Sequence, residues 1–165
     1  MSRIDMSDSK IKKNIFEYRI IAKSEEAARE AAHIIQIYSW GKDYPVNAWD
    51  ELKNAELIIG CFDGSVLAGV SSVTRVASPD KVDNGRLWYA DAVVLPSYRR
   101  QGIFKKLYGQ VMDYFQETNE TMILACTSNP IVERFLIERN WTIRRHTTDE
   151  SGEACRVLQY DIMRI

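Results

Sequence analysis

Cysteine is scarce in this sequence: three residues, Cys61, Cys126 and Cys155, odd in number and far apart. None stands in a CxxC pair or at the spacing of a histidine co-ligand. That excludes a zinc finger or ribbon and a disulfide scaffold, and it fits thiols kept reduced in a cytosolic protein. Net charge is scarce too, with 22 Lys and Arg against 23 Asp and Glu. Without a broad positive field the chain is no general binder of nucleic acid or anionic membrane, so any anion site must be local. Long apolar runs are missing. The polar start MSRIDMSDSKIKKN carries no hydrophobic signal segment, and no later stretch reaches the roughly 20 residues of a membrane span, so the expected location is cytoplasmic. Glycine patterns of the Walker or dinucleotide type are absent, which disfavours a nucleotide module.

What is present is enough apolar residue, 45% of 165, to build one core. Residues 1–13 read as a flexible tail and residues 14–165 as a single domain. Ile15 to Ile21 is β-rich, and Ser24 followed by Glu25 and Glu26 predicts a helix N-cap. Ala27, Ala31, Ile34, Ile35 and Tyr38 then recur at helical spacing. The aromatic stretch YSWGKDYPVNAWDEL is broken by Gly41 and Pro45 and predicts a loop, with a short helix from about Asn47.

Leu57 to Phe62, Val66 to Val76 and Leu87 to Leu95 predict three strands of an antiparallel meander, the first two joined by a tight turn at Asp63-Gly64. From Ile103 the period becomes helical through Leu107, Val111, Tyr114 and Phe115. Met122 to Thr127 reads as a buried strand. Asn129 then caps a helix with Pro130 at its first position, Ile131, Val132, Phe135 and Leu136 facing the core, and Asn140 placed for a left-handed stop. Trp141 to His146 and Cys155 to Met163 complete an antiparallel pair. The order βα(α)βββαβαββ defines an α/β domain.

The segment VLPSYRRQGIF, Val94 to Phe104, joins the third meander strand to the next helix. Pro96 ends ladder donation and Gly102 admits a ligand close to the backbone. The N–H groups from Arg100 to Lys105 then converge at a helix N-terminus, with Arg99, Arg100, Lys105 and Lys106 around them. That is the outline of a diphosphate cradle.

In residue types and spacing, Val94-x-Pro96-x-Tyr98-Arg99-Arg100-Gln101-Gly102-Ile103-Phe104-x-x-Leu107 resembles the acetyl-CoA signature of the GNAT superfamily of N-acetyltransferases. Asn129-Pro130 followed by Phe135-Leu136 and Asn140-Trp141 is similar to that family's second motif. The resemblance implies a mixed, mostly antiparallel central sheet of six to seven strands flanked by about four helices, splayed between the fourth and fifth strands, with acetyl-CoA in the gap and no metal. It assigns the pantetheine to backbone at Ala92, Val93 and Val94 and the diphosphate to Arg99, Arg100, Gln101, Gly102, Ile103, Phe104 and Lys105, with Asn129 as a further contact. It also implies a homodimer paired through sheet edges. Two positions depart from the family pattern: Phe104 replaces a small residue, and Leu136 replaces a tyrosine that protonates the leaving thiolate.

The acceptor amine must lose a proton before attack, because an alkylammonium has a pKa near ~10.4. Asp91, on the strand beside the acetyl position, is the candidate base or ammonium partner; a structural role is an equal alternative. Strand alternation puts it on one side with Tyr89 and Val93. Cys126 reads as a small buried hydrophobe, and His33 and His146 receive no role. Trp40, Asp43, Tyr44 and Trp49 either line the acceptor pocket or pack on the sheet edge. The reading is an enzyme that moves an acetyl group to the amine of a small molecule by direct attack. Transfer to a protein or peptide amine, or a non-catalytic acyl-CoA-binding domain, are the alternatives.

Overall fold

The computed structural model describes residues 15–164; the tail expected over residues 1–13 lies outside the described residues. One sheet contains β1 (Glu17–Ile20), β2 (Leu57–Asp63), β3 (Val66–Thr74), β4 (Trp88–Val94), β5 (Met122–Thr127), β6 (Thr142–Thr148) and β7 (Ala154–Asp161). Its strand order is β1-β2-β3-β4-β5-β7-β6. Neighbours run antiparallel everywhere except at β4 and β5, which are parallel and pair only at Trp88 and Leu124. The expected splay is there. Four α-helices accompany the sheet: α1 (Glu26–Ile35), α2 (Ala48–Leu52), α3 (Ile103–Glu117) and α4 (Pro130–Ile137).

Two apolar layers hold the helices. On one face Ile103, Leu107, Val111 and Phe115 of α3 and Leu136 of α4 pack with Ile59, Tyr89, Val94, Ile123 and Leu158. On the other, Ala28, Ala31, Ala32, Ile34 and Ile35 of α1 and Ala48 and Leu52 of α2 pack with Ile58, Val70 and Val93. Transfer of this surface from water is the main favourable term in folding. Among the described residues no helix is long and apolar enough to cross a membrane.

Local details correct several expectations. Glu25, not Ser24, occupies the N-cap position of α1, with extended φ and ψ and no side-chain cap. A turn from Ala22 to Glu25 delays the helix by one residue. The helix then widens into a π segment, Gln36–Trp40, whose extra residue per turn takes Tyr38 off the apolar stripe and leaves it exposed. In the β2–β3 hairpin Asp63 still pairs with Val66, so the turn is Gly64-Ser65, with Gly64 at φ 57°. Ile131 does not face the core: it is 78% exposed in the first turn of α4. Asn140 does take the left-handed conformation, φ 71°.

Candidate active site

Where β4 and β5 part, a cleft of about 790 Å³ runs through the sheet. Its first end is the turn before α3. Arg100 and Gly102 both sit at positive φ, 64° and 78°. A non-glycine residue held there is strained, and such turns aim successive N–H groups into one concavity. The helix ladder begins only with Lys106 N–H donating to Gly102 O at 3.1 Å, so the N–H groups of Ile103, Phe104 and Lys105 have no acceptor within α3. A Cβ built on Gly102 would meet nothing within 4 Å. The space beside these donors is open, and with the helix dipole it suits a diphosphate.

Of the sequence-predicted cofactor residues, Ala92, Val93, Val94, Arg99, Arg100, Gly102, Ile103, Phe104, Lys105 and Asn129 all line the cleft; Gln101 does not. Leu95 N–H donates to Ala68 O on β3 at 2.9 Å. By alternation Val93 also turns its backbone toward β3, while Ala92 and Val94 present theirs to the open edge. Arg99 Nε donates to the Val94 carbonyl at 3.2 Å, which fixes its guanidinium beside that edge. The Phe104 ring meets Phe135 edge-to-face at 4.9 Å, so its bulk bridges α3 to α4. Asn129 Oδ1 accepts from Ile131 N–H at 2.9 Å, and its cap leaves the carboxamide nitrogen as the spare donor. Leu136 lines the wall, buried. Tyr89, whose hydroxyl pairs with Ser71 Oγ at 3.0 Å, is a phenol lining the same cleft.

Asp91 lies on the opposite side of the sheet. A β-bulge explains how: Ser72 pairs with Asp91 but Val73 pairs with Tyr89, leaving Ala90 as the extra residue of β4. The bulge resets the alternation. Tyr89 falls on the α3 face with Ala92 and Val94, and Asp91 shares only Val93's side, the α1–α2 face. Asp91 is 5% exposed, and both its oxygens take neutral donors, Trp40 Nε1 at 3.2 Å and Ser72 Oγ at 2.9 Å. Burial pushes its carboxyl up to about 6, against the two hydrogen bonds, which favour the charged form.

The sequence reading passed over Glu51. This residue of α2 lines the cleft, and its side chain makes no hydrogen bond or ion pair with any described residue. Burial first, then the negative charges of Asp91 and Glu150, push it up to about 9. Ala48 and Leu52, buried at i and i+4, dock α2 on the sheet, and Asn47 caps it. Gln36 ties the preceding loop down by accepting from Ala48 N–H at 2.7 Å and donating to Gly41 O at 3.1 Å. Across the opening, Tyr44 donates to Glu150 at 2.5 Å, joining this loop to the turn between β6 and β7. Asp149 and Glu153 of that turn line the cleft as well. Of the four residues expected there, Trp40 and Tyr44 line the cleft; Asp43 does not, and Trp49 instead packs beside α1 under Arg29.

Among the described residues no group of three or more His, Cys, Asp or Glu is placed to hold a metal ion. Cys126 and Cys155 line the acidic side, and burial raises both thiols, which makes them poor nucleophiles.

The model of the family described as "Acetyltransferase (GNAT) family" matches residues 19–139. Among solved structures, the chain is similar to the ribosomal-protein-S18-alanine N-acetyltransferase from Escherichia coli, at 14% identity over 92% of this chain and 96% of that one, TM-score 0.68. It is similar to Arabidopsis thaliana Naa50 in complex with the bisubstrate analogue CoA-Ac-MVNAL, at 14% identity over 89% and 99%, TM-score 0.69. A Bacillus subtilis acetyltransferase in complex with CoA gives 14% identity over 90% and 100%, TM-score 0.65. No curated protein matches the sequence significantly.

Proposed function

The chain belongs to the acetyltransferase (GNAT) family, enzymes that transfer the acetyl group of acetyl-CoA, and from that premise we propose that it acetylates the amine of a small molecule. The observation that carries this reading is the polarity of the cleft: among the described residues its lining cations, Arg99, Arg100 and Lys105, come from the turn before α3 and the first turn of that helix, and its lining acids come from α2, β4 and the β6–β7 turn. An anionic donor and a cationic acceptor are thereby drawn to opposite ends and meet at the splay.

In this reading Arg99, Arg100, Lys105 and the N–H groups from Gly102 onward hold the diphosphate, with Asn129 beside them. The open edge of β4 at Ala92 and Val94 holds the pantetheine. An edge N–H there, fixed before the substrate arrives, would stabilise negative charge on the thioester oxygen, the kind of preorganised donor that contributes most in a site shielded from water. Asp91 draws the ammonium inward. Attack is direct, since the two thiols of the cleft are held protonated by burial. A thiol of pKa about 8.5 leaves without an acid, so Leu136 in place of tyrosine is tolerated.

The three free cysteines support a reducing compartment, and we place the enzyme in the cytoplasm. A homodimer through sheet edges follows the resemblance and is checked by light scattering. The substrate class is tested by thiol release with ethanolamine, 1,4-diaminobutane, glucosamine and an alanine-terminated pentapeptide. The expected result is turnover with one or more small amines; turnover with the peptide alone would replace this reading by a protein-directed one.

A further inference from the structure

Two carboxylates meet on the acceptor side of the cleft, and they are not equivalent. Asp91 is sealed in the sheet, with each oxygen already taking a donor. Glu51 reaches the same space from α2 with both oxygens unengaged by any described residue. The negative charges that bear on it are Asp91 from β4 and Glu150 from the β6–β7 turn; Asp149 and Glu153 of that turn, Tyr44 from the preceding loop and the Cys126 and Cys155 thiols line the same cleft. Within α2, Asp50 is taken by Lys53 at 3.2 Å. None of the cations lining the cleft comes from these elements. A carboxyl desolvated among other acids keeps its proton until a positive charge arrives.

We propose that Glu51 is the residue that receives the acceptor: a primary alkylammonium seats between Glu51 and Asp91, and Glu51 takes the proton that must leave the nitrogen before it attacks. This rests on the acetyl-transfer reading and names its base. In the free enzyme the pair holds its proton on Glu51 and its charge on Asp91, because Asp91 already takes two hydrogen-bond donors and Glu51 takes none from any described residue. Seating of the ammonium drives the Glu51 proton into solvent, and the ammonium then passes one proton to the emptied carboxylate, leaving nitrogen its lone pair. That pair forms the N–C bond to the acetyl carbon, and the C–S bond breaks with its electrons going to sulfur. The second nitrogen proton goes through water to the thiolate, giving the neutral amide and CoA thiol. Asp91 keeps its charge throughout and acts as a positioning residue.

Amine binding therefore releases close to one proton per site at neutral pH, although the ligand arrives as a cation. Calorimetry of the full chain in two buffers of unlike ionisation enthalpy counts it, with ethanolamine, 1,4-diaminobutane and glucosamine as probes. Glu51→Gln should abolish that release and lower kcat/KM for the amine by about 100-fold or more, the range for loss of a general base. It should also remove the ionisation of Glu51 from the pH profile while acetyl-CoA binds with unchanged Kd, which shows the variant folded. Glu51→Asp should restore part of the rate. Glu51→Gln within threefold of wild type, with the same proton count and pH profile, would overturn the proposal. If the wild type binds acetyl-CoA yet releases no thiol with any amine, the transfer reading falls separately. The carboxyl-carbon NMR titration of Glu51 then decides this one: a downward shift on adding the amines supports ammonium capture, and no shift refutes it.

Discussion

At the α3 end of the cleft, attraction for an anion comes from backbone as much as from side chains: three unpaired N–H groups, a left-handed Arg100 and an open space over Gly102. At the opposite end it comes from side chains alone, carboxyls of α2, β4 and the β6–β7 turn gathered with no cation among the described residues lining that end. The first end is preorganised, and its backbone N–H donors do not titrate. The second stores a proton at Glu51, because burial and the negative charges of Asp91 and Glu150 raise that carboxyl's affinity for hydrogen ions. One cleft thus pairs a fixed electrostatic device with a titrating one.

Substitutions that strike one end and spare the other test that contrast. Gly102→Asp puts a carboxylate at a left-handed position in the space proposed for the diphosphate; acetyl-CoA affinity should fall more than 100-fold by calorimetry, and Tm should drop by a few degrees, because a side chain at φ 78° is strained even where its atoms meet no neighbour. Arg99→Ala removes a guanidinium held beside the β4 edge by the Val94 carbonyl. A charge-assisted hydrogen bond contributes about 1.5 to 3 kcal/mol, so the Kd for acetyl-CoA should rise tenfold or more while the amine KM stays put.

Glu150→Gln keeps a partner for Tyr44 but removes a charge from the acceptor mouth. The KM for a dicationic amine should rise about threefold, on the scale of one partly exposed charge, and the effect should shrink at high salt. The smallest effect is on stability. Glu51 has its folded pKa raised from 4.5 to about 9. The folded state therefore binds the extra proton, and the stability this provides is full below pH 4.5 and is lost as pH rises toward 9. In a Tm series from pH 5 to 9, Glu51→Gln should lose part of that decline and gain a few degrees over wild type at the alkaline end. An unchanged slope would remove Glu51 from the proton store.

The α3 end was legible in the sequence because its chemistry is written in local signals: proline, glycine and arginines at fixed offsets before a helical stripe. So was the order of helices and strands along the chain, which follows from period and turn residues, whereas the splay of the sheet came from the family resemblance. The acceptor end was not, since Asp91, Glu51 and Glu150 are far apart in the chain and meet only through the fold. Strand alternation placed Asp91 beside Tyr89, and one extra residue at Ala90 reversed that relation. Glu51 left a faint trace: it lies between Ala48 and Leu52, the two apolar anchors of a capped helix, on the border of the buried face. Ile131 misled for the opposite reason. Its apolar character fits a core stripe, but the first turn of α4 opens on the cleft.

The single residue pair between Trp88 and Leu124 also bears on how the molecule comes apart. Most of the sheet's cross-strand hydrogen bonds lie within β1–β4 or within β5–β7, so the backbone itself does little to make the two groups unfold as one. A ligand lying along the open edge of β4 would lend its binding free energy to that seam. The enzyme would then unfold more cooperatively when loaded, with the amides of Ala92 and Val94 changing from fast to slow hydrogen exchange.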